Sequence, residues 1–328
     1  MKAIQFSSFG KASAVAELVD IALCASPCEG EVMVRLWMTP INPSDLLHFA
    51  GRYSSPAELP SFAGGAVLGK VVELGKGVNH LSVDDVVIAV NTLRSGWQEL
   101  GIYKAQSLRA LPKAEPAAMS LMAANPPTAL LMLENFCQIQ KEDWIIQNAA
   151  NSSVGVSIIQ LARTKGFRTI NVVRRADLVT TLQEMGGDIV LVDGDDLADR
   201  VRSLVGSDRI PLGIDAVAGA ACGRLASCLT RDGTVINYGL LSGDSCQISS
   251  SDVLFRNIQL KGFWYADWVK RAEPNQVKNL FDRLINLFET GKLKVPVEKV
   301  YPLDLYRLAF AHAEKEGRLG KVVMNWDT

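Results

Sequence analysis

The chain has 328 residues, 48% hydrophobic and 21% charged, with 34 basic against 35 acidic side chains and a net charge of −1. That length exceeds what one hydrophobic core usually organises, so two domains are expected. Near-neutral charge supplies no long-range field to recruit a polyanion, and no apolar run approaches the roughly 20 residues that cross a bilayer, which argues against nucleic acid and membrane as partners.

In chain order, MKAIQFSSFG reads as strand and turn rather than a leader, which points to the cytoplasm. The first third continues as short β segments, KAIQF, EVMVRLWMT, GKVVELG and DDVVIAV, separated by Gly, Pro and Asn. Near Pro112 the pattern turns helical, with PAAMSLMAANPPTALLMLENF interrupted at Pro126 and Pro127. From Asp143 to about Phe263, β-rich runs alternate with helical ones, the signature of a parallel sheet covered by helices. A helix is expected over 274–290, and the tail ends in the strand-like GKVVMNW. The six cysteines (Cys24, Cys28, Cys137, Cys222, Cys228, Cys246) form no C-x-x-C pair, and the three histidines (His48, His80, His312) lack zinc-ligand spacing, so no metal is expected.

One turn carries chemistry. The strand WIIQNA runs through Ala150, Asn151, Ser152, Ser153, Val154 and Gly155 into a helix, the context of the dinucleotide fingerprint G-x-G-x-x-G. Ala150 and Ser152 replace its first two glycines and only Gly155 survives. Exposed amides at a helix start attract a diphosphate, and a serine hydroxyl adds a donor; the alternative is a helix end merely capped by Ser152 or Ser153. About twenty residues on, the second strand ends in Arg174 and Arg175 where an acid would bind the ribose 2′-hydroxyl. An arginine fork suits the 2′-phosphate, which favours NADPH over NADH; the alternative is two arginines in a solvated turn.

The strings INPSD (41–45), GRY (51–53), NPPTA (125–129), QNAANSSVG (147–155), INVVRR (170–175), NYG (237–239) and KGFW (261–264) together resemble the zinc-free branch of the medium-chain dehydrogenase/reductase superfamily. The likeness is strongest to its 2-enoyl thioester reductases, with quinone oxidoreductases as near relatives. The resemblance implies an α/β fold: a GroES-like β-barrel catalytic domain (1–115 and 264–328) and a Rossmann domain with a doubly wound parallel sheet (116–263). It also implies a homodimer joined near residues 253–263. Where zinc-binding members carry a His-Glu pair, this chain reads SFAGGAVLG (61–69), and Ala66 replaces a glutamate common in zinc-free relatives.

By the same resemblance Tyr53 is the acid beside the substrate carbonyl and Asn42 orients substrate or the nicotinamide ribose. Thr128, Tyr238, Gly239, Phe263, Trp264 and Lys321 approach the cofactor. A phenol there would stabilise the negative charge that hydride addition builds on a thioester carbonyl and help protonate the α-carbon. The leading reading is NADPH-dependent reduction of a 2-enoyl thioester carried on CoA or acyl carrier protein. Quinone reduction is the second and a non-catalytic NADPH-binding protein the third.

If Arg174 and Arg175 read the 2′-phosphate, replacing both with Ala weakens NADPH binding by at least about tenfold and leaves NADH binding nearly unchanged. Parallel titrations of the two nucleotides measure this, and equal affinities in the unmodified protein would refute it.

Overall fold

The computed structural model describes residues 1–23, 25–54, 56–89, 96–112 and 114–327. Cys24 and the end of the expected strand DDVVIAV at Val90 lie outside them. The chain divides into two compact units, one of Met1–Ala124, Ala266–Glu289 and Val295–Thr328, the other of Asn125–Tyr265 and Thr290–Lys294. The sequence-based division ran through 115/116 and 263/264; that of the structure runs through 124/125 and 265/266, and a further short stretch, Thr290–Lys294, belongs to the second unit.

The first unit opens with β1 (Lys2–Phe6), α1 (Ala12–Val15), β2 (Glu17–Asp20), β3 (Glu31–Pro40) and α2 (Pro43–Phe49). It continues through β4 (Ser61–Phe62), β5 (Val67–Leu74), β6 (Val86–Ala89), β7 (Leu100–Lys104), β8 (Leu108–Ala110) and α3 (Pro116–Ser120). Strand β1 lies antiparallel between β2 and β4. β3 is the spine: β5 runs antiparallel along one side, and β7 pairs with Glu31–Arg35. Seven of its ten residues are buried, as befits a strand in the middle of its sheet.

The core of this unit is aromatic. Phe49 touches Phe6 (ring centroids 4.8 Å apart) and Phe310 (5.3 Å), and Phe310 meets Trp97 at 5.5 Å. Such offset and edge contacts add to the burial of the rings themselves. Trp97 lies directly over Gly64, where an added Cβ would stand 2.2 Å from its ring, and Gly64 has φ +98°. Only glycine satisfies both constraints.

The second unit contains α4 (Asn125–Glu134), β9 (Trp144–Gln147), α5 (Ser153–Lys165), β10 (Arg168–Val173), α6 (Val179–Glu184) and β11 (Ile189–Val192). After these come α7 (Leu197–Val205), β12 (Leu212–Asp215), α8 (Gly219–Cys228), β13 (Thr234–Asn237), α9 (Ser250–Arg256) and β14 (Gln259–Gly262). The helical pattern is interrupted as expected, but the break falls before Asn125 rather than at Pro126 and Pro127. They occupy the first turn of α4 instead, where a missing N–H is harmless.

Its six strands pair in parallel in the order β11-β10-β9-β12-β13-β14. All residues of β9 and β12 are buried, as the centre of a sheet covered on both faces demands. The strand order reverses between β9 and β12, and in such sheets ligands bind outside the carboxyl ends at that reversal. β14 is one of the sheet's two edge strands, and its four residues are exposed. The chain then returns to the first unit through α10 (Tyr265–Arg271), which straddles the division, then α11 (Pro274–Glu289), β15 (Val297–Pro302), α12 (Tyr306–Ala313) and β16 (Lys321–Asn325). β16 runs parallel to β15 and antiparallel to the end of β3.

Gly64→Ala forces a left-handed alanine and pushes on Trp97, so it should destabilise the protein by about 2–4 kcal/mol. Urea unfolding followed by tryptophan fluorescence reads the loss; an unchanged midpoint would mean that the ring is not seated there.

Candidate functional site

The turn from β9 into α5 combines a strained backbone, a serine cap and an unpaired buried hydroxyl. Ala149 adopts φ +47°, a left-handed conformation normally left to glycine. Ser152 caps α5, its Oγ accepting from the Gly155 N–H at 3.1 Å. An added Cβ on Gly155 would stand 2.5 Å from the Ala150 carbonyl oxygen, so helix and turn approach as closely as a glycine allows. Ser153, 3% exposed, has no hydrogen-bond partner for its Oγ among the described residues. A buried hydroxyl left unsatisfied is costly in a finished structure. Here it sits in the first turn of a 13-residue helix, among amides whose dipoles favour an anion. Asn151 precedes the cap and Val154 follows Ser153 into the buried first turn. The residues present therefore fit a dinucleotide diphosphate.

A second cluster joins the carboxyl ends of three neighbouring strands. Asp215, at the end of β12, has no exposed surface and accepts from Asn148 Nδ2 (2.6 Å), Asn237 Nδ2 (2.8 Å) and the Val217 N–H (3.0 Å). The Ala218 N–H reaches both of its oxygens, at 3.0 and 3.2 Å. Asn148 follows β9 and Asn237 ends β13. Asn237 also donates to the Gly239 carbonyl (3.0 Å), and an added Cβ on Gly239 would lie 2.5 Å from the Ala216 oxygen. Tyr238 is thereby aimed back at the turn, where its hydroxyl is hydrogen-bonded to the Ser152 side chain. Burial pushes this phenol well above its ordinary range, the Ser152 bond opposes that, and the Asp215 charge adds to it.

Arg174 and Arg175 follow the end of β10 and are both exposed; Arg175 pairs with Asp177 at 3.3 Å. Thr128 is buried in the first half of α4. Phe263 packs edge-on against Phe136 at 5.7 Å, and Trp264 is 41% exposed. The structure thus collects Thr128, Asn151–Gly155, Arg174, Arg175, Tyr238, Gly239, Phe263 and Trp264 in the second unit.

Asn42, Tyr53 and Lys321 belong to the first unit. Asn42 is the buried N-cap of α2, and its backbone N–H donates to Asp45 Oδ2 at 2.8 Å. Asp45 also accepts from the Gly65 N–H at 3.0 Å, which ties α2 to the segment between β4 and β5. Tyr53 follows the other end of the same helix, which rises about 10 Å over its seven residues. Gly51, at φ +68°, turns the chain out of α2 beneath the Phe9 ring, and Tyr53 follows half-buried. Lys321 is buried at the start of β16; burial and the Arg318 charge lower its pKa to about 8, against the pull of Asp45. Burial raises Asp45 to about 6, opposed by the Asn42 and Gly65 amides and by Lys321.

Residues 28–110 match the alcohol dehydrogenase GroES-like domain and residues 153–286 match the zinc-binding dehydrogenase family. The mitochondrial enoyl-[acyl-carrier-protein] reductase of Dictyostelium discoideum is 31% identical over 331 residues, covering 99% of this chain and 94% of that protein. The chain belongs to the medium-chain dehydrogenase/reductase superfamily. A Bacillus thuringiensis structure assigned as an NADPH:quinone reductase superposes with a TM-score of 0.91 at 27% identity, covering 99% of this chain and 98% of the other. A mutant form of the enoyl thioester reductase of Candida tropicalis shares the fold, with a TM-score of 0.88 at 21% identity and 99% of both chains covered.

In this superfamily member, Gly64 and Gly65 of the stretch without His or Glu receive Trp97 and brace Asp45. Sequence reasoning missed Asp215, Asn148 and Asn237. The available signal was an Asp or Asn at each of three expected strand ends. It found no C-x-x-C pair among the cysteines, and spacing along the chain could not show that Cys222 and Cys246 stand together beside Asp215.

Ser153→Ala removes a hydroxyl that has no partner within the chain, so stability should hold or rise slightly. NADPH affinity should fall about tenfold if that hydroxyl serves the diphosphate. Thermal unfolding without nucleotide and nucleotide titration, run together, separate the two effects.

Proposed function

We propose that this protein is an NADPH-dependent reductase of 2-enoyl thioesters. The observation that carries the substrate class is the end-to-end match to an enoyl-[acyl-carrier-protein] reductase. The amide-rich start of α5 and the two arginines after β10 support NADPH as the reductant. When bound, NADPH supplies a hydride to the β-carbon of the substrate.

The chain's own residues supply the rest. As the C–H bond forms at the β-carbon, the electron pair of the double bond moves toward the thioester carbonyl, whose oxygen gains negative charge. The phenol of Tyr53 donates a hydrogen bond to that oxygen and contributes to protonating the α-carbon, leaving the saturated thioester. Asn42 acts as a positioning residue, since it starts the helix from whose far end Tyr53 emerges. Lys321 beside Asp45 adds positive charge to the same unit. Thr128, Tyr238, Gly239, Phe263 and Trp264 complete the cofactor and acyl walls, with CoA or acyl carrier protein as the thioester carrier.

A homodimer formed along β14 fits its open edge and the exposed Val253, Leu254, Phe255 and Leu260. No helix among the described residues is long and apolar enough to cross a membrane. The cytoplasmic placement read from the sequence stands as a proposal beside relatives named as mitochondrial, and subcellular fractionation distinguishes the two compartments. Quinone reduction is the second reading, favoured by the 27% identical quinone-reductase structure.

Tyr53→Phe separates the two activities within one protein. Enoyl-thioester turnover should fall about 10²- to 10⁴-fold while NADPH binding persists. Quinone turnover should fall far less, because water can protonate the reduced ring once hydride has been placed. NADPH oxidation is followed with a short enoyl-CoA, a longer enoyl-CoA and a naphthoquinone. Equal enoyl turnover in parent and variant removes Tyr53 from the mechanism. No enoyl turnover in the parent beside strong quinone reduction moves the assignment to the second reading.

A further inference from the structure

Among the groups that the proposed mechanism leaves unused, one buried and one half-buried thiol face each other. Cys222 lies in α8 with no exposed surface, and Cys246 lies in the segment after Gly239 with part of its surface open. Their Sγ atoms and an Asp215 carboxylate oxygen all lie within 4.8 Å of one another. Cys246 Sγ is 3.9 Å from Asp215 Oδ2. The two backbones are close as well. Gly223 has no side chain where a Cβ would stand 2.2 Å from the Gln247 carbonyl oxygen, and the Gln247 N–H donates to the Gly219 carbonyl at 3.2 Å. Further back, Ser242 holds the Val217 carbonyl through its N–H (2.9 Å) and its Oγ (2.7 Å). The segment is laid along α8 with its thiol already beside Cys222.

We infer that Cys222 and Cys246 form a reversible dithiol/disulfide pair that staples the segment after Tyr238 and Gly239 to α8. The oxidant is a small disulfide. The Cys246 thiolate attacks it, releases one small thiol and becomes a mixed disulfide. Cys222 then attacks the Cys246 sulfur and the second small thiol departs. The two cysteines lose two electrons and two protons, and one small disulfide becomes two thiols.

The surroundings set the character of this pair. Burial and the Asp215 carboxylate both raise the Cys222 and Cys246 thiols. Thiolate is scarce, so the first attack is slow at neutral pH. The same environment gives the reduced form no thiolate stabilisation, the feature that makes some dithiols strong oxidants, so the disulfide resists reduction once made. A cross-link between these positions also restrains the loop carrying β13 and Tyr238.

The test treats the reduced full-length protein with glutathione disulfide and maps its peptides without reduction. A Cys222–Cys246 link is expected, reversed by dithiothreitol, with its rate rising about tenfold per pH unit between pH 7 and 9 as thiolate forms. In Cys222→Ala the reaction should stop at a mixed disulfide on Cys246. In Cys246→Ser, Cys222 should stay unmodified. Amide exchange across 239–247 should slow in the oxidised parent. A parent in which Cys246 stops at the mixed disulfide, or in which either thiol links to a third cysteine, overturns the inference. So does a rate that levels off below pH 8, or amide exchange that the link leaves unchanged.

Discussion

A carboxylate with no solvent contact must find in protein the hydrogen bonds that water would have given it. Asp215 does so by drawing in groups from three adjacent strand ends: the Asn148 amide, the Asn237 amide and the N–H groups of Val217 and Ala218. Each donor is thereby fixed at the carboxyl edge of the sheet. Asn148 fixes the exit from β9 that leads into the α5 turn, and its Oδ1 accepts from the Ala216 N–H at 2.8 Å. Asn237 fixes the exit from β13 that carries Tyr238. One buried acid therefore aligns the two chain segments that the cofactor reading needs on either side of the strand-order reversal.

Backbone strain gathers at the same edge. Ala149 (φ +47°) and Ala218 (φ +65°, ψ −156°) hold conformations that alanine avoids, at a typical cost of about 1–3 kcal/mol each. Ala218 is held by its N–H to Asp215, while Ala149 is followed directly by Ala150, whose backbone is pressed against Gly155. Two of the fingerprint's glycines have gone, and the left-handed turn falls one residue before them at Ala149, while Ser152 itself is extended (φ −71°). The third could not go, because its Cβ would occupy the Ala150 carbonyl.

In the first unit the organising group is again a buried acid. Asp45 closes the N-terminus of α2 and reaches across to Gly65, so the helix that carries the chain to Tyr53 is fixed at its start to the β assembly and at its end by Gly51 under Phe9. The stretch 61–69 packs into the same unit. Gly64 receives Trp97, and Ala66 is buried at 1% exposure, where no polar side chain is presented.

Local pattern was enough to determine the β-rich first third, the alternating strands and helices after Asp143, and the helix that begins at Ser153. These depend on period, turn residues and caps, all of which are written in neighbouring positions. The combination of strings from INPSD to KGFW was likewise enough for the superfamily. Tertiary structure alone decided that Asp215, Asn148 and Asn237 share one network, that Lys321 faces Asp45, and that Cys222 lies beside Cys246. It also decided that the orphan hydroxyl at the start of α5 belongs to Ser153 and not to Ser152, whose Oγ is used by Gly155. Such pairings join residues up to 276 positions apart, as with Asp45 and Lys321 (321 − 45). Only sheet order and helix packing bring them together, and one sequence read along its length carries no direct mark of which distant side chains will meet.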